Sequence, residues 1–176
     1  MREPLFSGVC TALITPFEGD RINYRMLEQL INRQIENGIQ AIVICGTTGE
    51  SATLSDSEKL ELIEKSLVYA SGRCLIIAGT GSNSTQHAIR LSIAAQSVGA
   101  DGLLLVSPYY NKASKNGLIS HYRAIAESVH IPCILYNVPS RTGLDIPIEV
   151  YRVLSGISNI VGVKEASNDI VKIARI

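Results

Sequence analysis

The sequence predicts a parallel α/β fold, and three observations predict it. Short apolar runs recur about every 30 residues, the length of one strand–helix–strand unit. The segments between them carry the 3.6-residue apolar period of amphipathic helices. Polar, glycine-containing stretches follow the end of most runs, where parallel sheets gather their ligands.

The apolar runs are Val9–Thr15, Ala41–Cys45, Cys74–Ala78, Gly102–Ser107, Ile131–Tyr136 and Ile160–Val163. Helical periodicity covers Tyr24–Asn37, Ser57–Ala70, Thr85–Val98, Gly117–Val129 and Pro147–Leu154, with a last helix-like run at Asp169–Ile176. In the second of these, Leu60, Ile63, Leu67 and Ala70 share one apolar face. Ser55 or Asp56 is placed to cap that helix, with Glu58 as its first-turn acid. Gly38, Gly72 and Gly99 follow helical runs, where a left-handed residue closes the last turn. Pro132 and Pro147 stand at element starts, where a missing N–H costs least. Two architectures accommodate this pattern: a closed (β/α)8 barrel and an open doubly wound sheet. The polar strand-end stretches are Gly46–Glu50, Gly79–Asn83, Pro108–Asn111, Asn137–Gly143 and Lys164–Ser167.

Composition narrows the class. The 176 residues are 46% hydrophobic and 18% charged, with 16 basic against 16 acidic side chains. That balance describes a globular chain with a sizeable core, expected to form one domain over residues 1–176. It excludes a disordered tail and a disulfide scaffold. A formal charge of zero without like-charge runs argues against nucleic acid as a partner. No apolar run approaches the roughly 20 residues of a membrane helix, so no membrane partner is expected. The start of the chain, with Arg2, Glu3 and Pro16 interrupting its apolar residues, is a poor signal peptide, and a cytoplasmic protein is expected. Cys10, Cys45, Cys74 and Cys133 form no C-x-x-C pair and lie in or beside apolar runs. They read as buried free thiols, with no zinc pattern among them.

The chemistry-bearing residues stand at the strand ends. Lys164 directly follows a buried run, and a charge there is costly unless paired or neutralised. Desolvation makes such an amine competent to form a Schiff base with a carbonyl. Snorkelling to solvent and pairing with Glu165 are the other outcomes open to it. Tyr136, at the preceding strand end, is suited to relay a proton, or simply to pack. Arg141, in a Ser- and Gly-containing loop, is suited to grip a carboxylate with two parallel hydrogen bonds, or to remain solvated. Gly46-Thr-Thr-Gly-Glu50 offers N–H groups and hydroxyls to an anion. Gly79-Thr-Gly81-Ser-Asn-Ser84 begins like a dinucleotide fingerprint but has Ser where its third glycine belongs. Tyr109 and Tyr110 put two aromatic rings on one short loop, as for a pocket lining or a subunit contact.

These motifs, with Thr15-Pro16, Ala78-Gly-Thr-Gly81, Pro108-Tyr-Tyr-Asn111, Tyr136-Asn-Val-Pro-Ser-Arg-Thr-Gly143 and Val163-Lys-Glu-Ala166, resemble the family of pyruvate-dependent lyases that includes N-acetylneuraminate lyase and dihydrodipicolinate synthase. The match runs from about Gly8 to the last residue. The Thr-Thr pair and the Ser-Arg-Thr-Gly stretch resemble the dihydrodipicolinate synthase branch. The resemblance implies a (β/α)8 TIM barrel, here about six βα units with the C-terminal part missing, and hence a fragment marginally folded and poorly active alone. It implies that Lys164 forms a Schiff base with pyruvate. Tyr136, Thr47 and Tyr110 would relay protons, with Tyr110 reaching a neighbouring subunit's site. Thr48 would hold the pyruvate carboxylate, and Arg141 that of the second substrate, aspartate semialdehyde. The product would be a hydroxy-tetrahydrodipicolinate on the route to diaminopimelate and lysine. Neither metal nor organic cofactor is implied, and the complete enzyme is expected as a homodimer or homotetramer. Feedback-inhibited relatives bind lysine through an Asn, a His and a Glu. Asn83 matches the first, but Lys59 and His87 stand for the others, so weak or absent lysine inhibition is expected. A pyruvate lyase acting on a sugar acid, and an inactive remnant serving as an interaction module, are the alternatives.

Overall fold

A computed structural model describes residues 4–176. Each apolar run becomes a strand of one parallel sheet: β1 (Cys10–Ala12), β4 (Ala41–Ile44), β5 (Leu75–Gly79), β6 (Gly102–Val106), β7 (Cys133–Asn137) and β8 (Ile160–Glu165), in that spatial order. All five pairings are parallel between consecutive sheet strands, which is barrel order rather than the reversal of a doubly wound sheet. The sheet is therefore six strands of a (β/α) barrel, open between β1 and β8. A two-stranded antiparallel hairpin, β2 (Phe17–Glu18) and β3 (Arg21–Ile22), lies between β1 and the first helix. Sequence patterning missed it, because strands of two residues carry no period.

The helices are α1 (Tyr24–Glu36), α2 (Asp56–Ala70), α3 (Thr85–Ser97), α4 (Lys115–Glu127), the short α5 (Pro139–Thr142), α6 (Ile148–Leu154) and α7 (Ile170–Arg175). Side chains fix where they begin. Ser55, rather than Asp56, caps α2 and closes a capping box with Glu58, whose carboxylate accepts from the Ser55 N–H at 2.8 Å. Ser84, Ser114 and Asp169 cap α3, α4 and α7 with side-chain oxygens that accept first-turn N–H groups. Gly38, Gly72 and Gly99 take positive φ just beyond α1, α2 and α3. The buried face of α2 is centred on Lys59, Leu62, Ile63, Ser66 and Ala70. Leu60 and Leu67 lie at its margin rather than on it, because the helix packs against both β5 and its neighbours α1 and α3.

Two apolar layers result from strand alternation. Outside the sheet, Ile42, Ile44, Ile76, Leu103, Leu105 and Leu135 interleave with Ile31, Ile63, Tyr122 and Ile125 of the helices. Inside, Ala41, Val43, Ile77, Leu104, Tyr136 and Val138 form a smaller cluster. All four cysteines are free, and Cys45, Cys74 and Cys133 are buried. Cys10 is a correction to the expected set of buried thiols. It is only partly buried, because it lies on the concave inner face of an end strand.

Candidate active site

Two concave spaces adjoin the sheet, one within its inner face and one above the strand ends. A cavity of about 360 Å³ lies against the inner face of all six strands, lined by Cys10, Ala12, Val43, Ile77, Leu104 and Lys164 among others. A second, of about 570 Å³, lies above the strand ends, lined by Thr47, Lys59, His87, Tyr109, Tyr136 and Arg141 among others. Leu104 lines both.

Lys164 and Tyr136 are Cα partners across β7 and β8, so alternation puts both on the inner face. The Lys164 ammonium lies 4.3 Å from the centroid of the Tyr136 ring. That contact holds the amine at the inner wall, and no carboxylate among the described residues forms an ion pair with it. Glu165 does not pair with Lys164, as the residue spacing alone allowed. Neighbours on one strand face opposite sides of the sheet, and Glu165 turns outward to Asn137, Tyr151 and Lys172.

The loop after β4 folds as a tight turn, with Gly49 N–H donating to the Gly46 carbonyl at 3.0 Å and Glu50 N–H to the Thr47 carbonyl at 3.1 Å. Thr15 Oγ1 donates to the Gly49 carbonyl at 2.7 Å and ties the turn to the loop after β1. Thr47 and Thr48 are both exposed, and Thr47 lines the larger cavity. Arg141 lies on α5, exposed along the same cavity. Tyr109 lines it too, whereas Tyr110 projects away, 92% exposed, from a backbone at φ 71°. Left-handed backbone is uncommon outside glycine, and at Cys45, Glu50, Tyr110, Lys112 and Asn168 it falls at strand ends, where functional strain is commonly kept.

The glycines that resemble a nucleotide motif have a packing reason. A Cβ on Gly79 would stand 2.1 Å from the Cys45 carbonyl oxygen, and one on Gly81 2.3 Å from the Val106 nitrogen. Close approach of neighbouring strand ends excludes any side chain there.

Lys59 and His87 are neighbours, but the Asp56 carboxylate lies between them, 2.9 Å from His87 Nε2 and 3.8 Å from Lys59 Nζ. Ser82 Oγ completes the chain at 3.1 Å from His87 Nδ1. Sequence reasoning weighed Asp56 as a helix cap and so missed this partner; Asp56 and Lys59 at i, i+3 was the available signal. Thiols beside the site are held protonated. Burial pushes Cys45 up to about 12 against the pull of Lys59, and burial raises Cys10 against the pull of Lys164.

The family model described as the dihydrodipicolinate synthetase family matches residues 5–176. The chain is 49% identical over 174 residues to a 4-hydroxy-tetrahydrodipicolinate synthase of Thermoanaerobacter sp. (strain X514), covering 98% of this chain and 59% of that protein. The structure of the 4-hydroxy-tetrahydrodipicolinate synthase from Methylacidiphilum fumariolicum SolV superposes with a TM-score of 0.92 at 47% identity, covering 94% of this chain and 56% of that one. That of the Cyanidioschyzon merolae enzyme with lysine bound gives 0.95 at 43% identity, covering 99% and 60%. The chain thus spans somewhat under two thirds of the length of the relatives it matches.

Proposed function

The chain belongs to the dihydrodipicolinate synthetase family, and from that premise we propose that its strand-end site condenses pyruvate with L-aspartate semialdehyde to 4-hydroxy-tetrahydrodipicolinate. The observation that carries this reading is Lys164 Nζ seated 4.3 Å over the Tyr136 ring at the mouth of the half-barrel. In the proposed reaction Lys164 Nζ attacks the ketone carbon of pyruvate, and the resulting carbinolamine loses water to give an imine. Loss of a methyl proton gives the enamine, whose carbon attacks the aldehyde of the second substrate. The amino group of that substrate then attacks the imine carbon, closing the ring and releasing Lys164. Tyr136, Thr47 and Tyr110 move the protons, Thr48 holds the pyruvate carboxylate, and Arg141 holds that of aspartate semialdehyde.

The outward projection of Tyr110 supports a partnered site, in which a second copy of the chain receives that ring in a homodimer or homotetramer. The 176 residues act as one domain in this reading, and the cytoplasm, where free thiols persist, is the proposed compartment. Lysine inhibition is proposed to be weak. Lys59 and His87 replace the His and Glu that feedback-inhibited relatives offer lysine, and the Asp56 carboxylate beside them is already engaged by both.

The test is chemical. Incubation with pyruvate followed by borohydride adds a reduced pyruvyl group to the intact mass, and Lys164→Ala loses it. An adduct that survives in Lys164→Ala, or none on the folded parent chain, sinks the reading. The sugar-acid alternative is separated by the aldehyde: Arg141→Ala weakens use of aspartate semialdehyde and leaves the pyruvate adduct intact.

A further inference from the structure

The outer side of the β7–β8 ends holds a dense charged network that the proposed chemistry does not use. Asn137 and Glu165 are Cα partners, one residue beyond Tyr136 and Lys164. The Asn137 Nδ2 group donates to Glu165 Oε1 and to Asp145 Oδ1, each at 2.7 Å. Asn137 Oδ1 accepts from the Ile146 N–H at 3.0 Å. Glu165 Oε1 also accepts from the Ser167 N–H at 3.0 Å, and Oε2 from the Tyr151 hydroxyl at 3.1 Å. Lys172, on α7, closes the network. Its ammonium donates to Asp145 and stands 3.8 Å from Glu165 Oε2, with the Lys172 and Glu165 side chains each 7% exposed. Burial alone would push the Asp145 carboxyl up, but the Lys172 and Asn137 hydrogen bonds and the Lys172 charge hold it below its usual value.

The sheet needs a fixed point here. The β7–β8 register shifts between Cys133 and Ile134, so that Cys133 pairs with Ile160 but Ile134 with Gly162. Val161 is the extra residue, and a one-residue slip in such a strand turns its side chains to the opposite face. A slip through Val161 would take Lys164 off the Tyr136 ring. We propose that Lys172, Asp145, Asn137 and Glu165 form a positioning network that locks the β7–β8 register from the outer face and thereby holds the Lys164 amine over Tyr136 on the inner face. The functional part of this inference rests on the Schiff-base reading; the geometric part does not.

The test compares Lys172→Met and Lys172→Arg with the parent, by two readouts on the full chain. Borohydride trapping of pyruvate is followed as a rate over pyruvate concentration. The maximal rate is expected to fall about tenfold in Lys172→Met, because small displacements of a reacting group cost that much or more. Half-saturation should stay put, since the carboxylate-holding residues are untouched, and Lys172→Arg should restore the rate. The second readout needs no pyruvate: amine acetylation mapped by peptide mass, with the buried Lys59 and the exposed Lys65 as internal references. Lys164 labelling should rise several-fold against those references in Lys172→Met and return in Lys172→Arg. A loss of general stability alone would raise the buried Lys59 along with Lys164. If the parent forms no adduct, the Schiff-base reading fails while the labelling ratio still decides the positioning. An unchanged Lys164 ratio in folded Lys172→Met overturns the proposal. Should Lys172→Met not fold by circular dichroism, Asp145→Asn, at a side chain 56% exposed, is read by the same two measures.

Discussion

The two faces of the sheet divide the work. The outer face is sealed: aliphatic strand residues meet aliphatic and aromatic helix residues, and Ile31, Ile42, Ile63, Ile76 and Leu103 are fully enclosed. The inner face has a far smaller buried cluster beside two open spaces, and the amine, phenol, guanidinium and hydroxyls stand along them. Close packing is what makes a core resist change, and a concave wall with room beside it is what admits a ligand. The chain thus places stability on one side of the strands and proposed chemistry on the other, with alternate residues of the same strands serving each.

That division can be broken by measurement. Ile63→Ala, in the sealed layer, should cost about 4 kcal/mol by urea unfolding, because its surroundings cannot collapse into the gap. A cost near 1 kcal/mol would mean that the helix layer is loosely packed. A second test concerns His121, on α4, whose Nδ1 lies 2.8 Å from Thr85 Oγ1 and whose ring meets Tyr122 edge-on at 5.3 Å. Burial lowers His121 from 6.5 to about 4. The unfolded chain therefore carries a proton there that the folded chain lacks, between those two values. Stability is fully present above pH 6.5 and falls toward pH 4, by up to about 3 kcal/mol. His121→Gln should flatten that slope, and an unchanged pH profile would place the loss elsewhere.

On the inner face Leu104 borders both cavities. Leu104→Ala should cost about 2 kcal/mol, less than its outer counterpart, since one side of the residue already faces open space. Equal losses for Leu104→Ala and Ile63→Ala would erase the distinction between the faces. The smallest effect is expected at an exposed helix end: Ser55→Ala removes the capping box and should cost about 1 kcal/mol, seen as a modest shift in urea midpoint.

Much of this was legible from residues alone. Each strand of the parallel sheet lies within or over an apolar run, and the helix ends fall at capping serines and following glycines. Barrel order was not legible from composition or period, because a closed barrel and a doubly wound sheet share one local pattern; the motif resemblance implied it, and the strand pairings give it. The hairpin at Phe17–Ile22 was too short to register. Lys164 and Tyr136 stood out because each follows an apolar run. Asp56, Asp145 and Lys172 did not, since their partners are set by the packing of separate elements.

By itself, then, the sequence determined the strand–helix units, their caps, and which polar residues collect at strand ends. These are local consequences of periodicity and backbone chemistry, written within a few residues of each other. Only the tertiary structure decided that Lys164 faces a phenol while Glu165 faces a buried lysine, that an aspartate separates Lys59 from His87, and that Tyr110 points to solvent. Each depends on which distant segments meet and on which side of a strand a residue falls, and sheet register settles both.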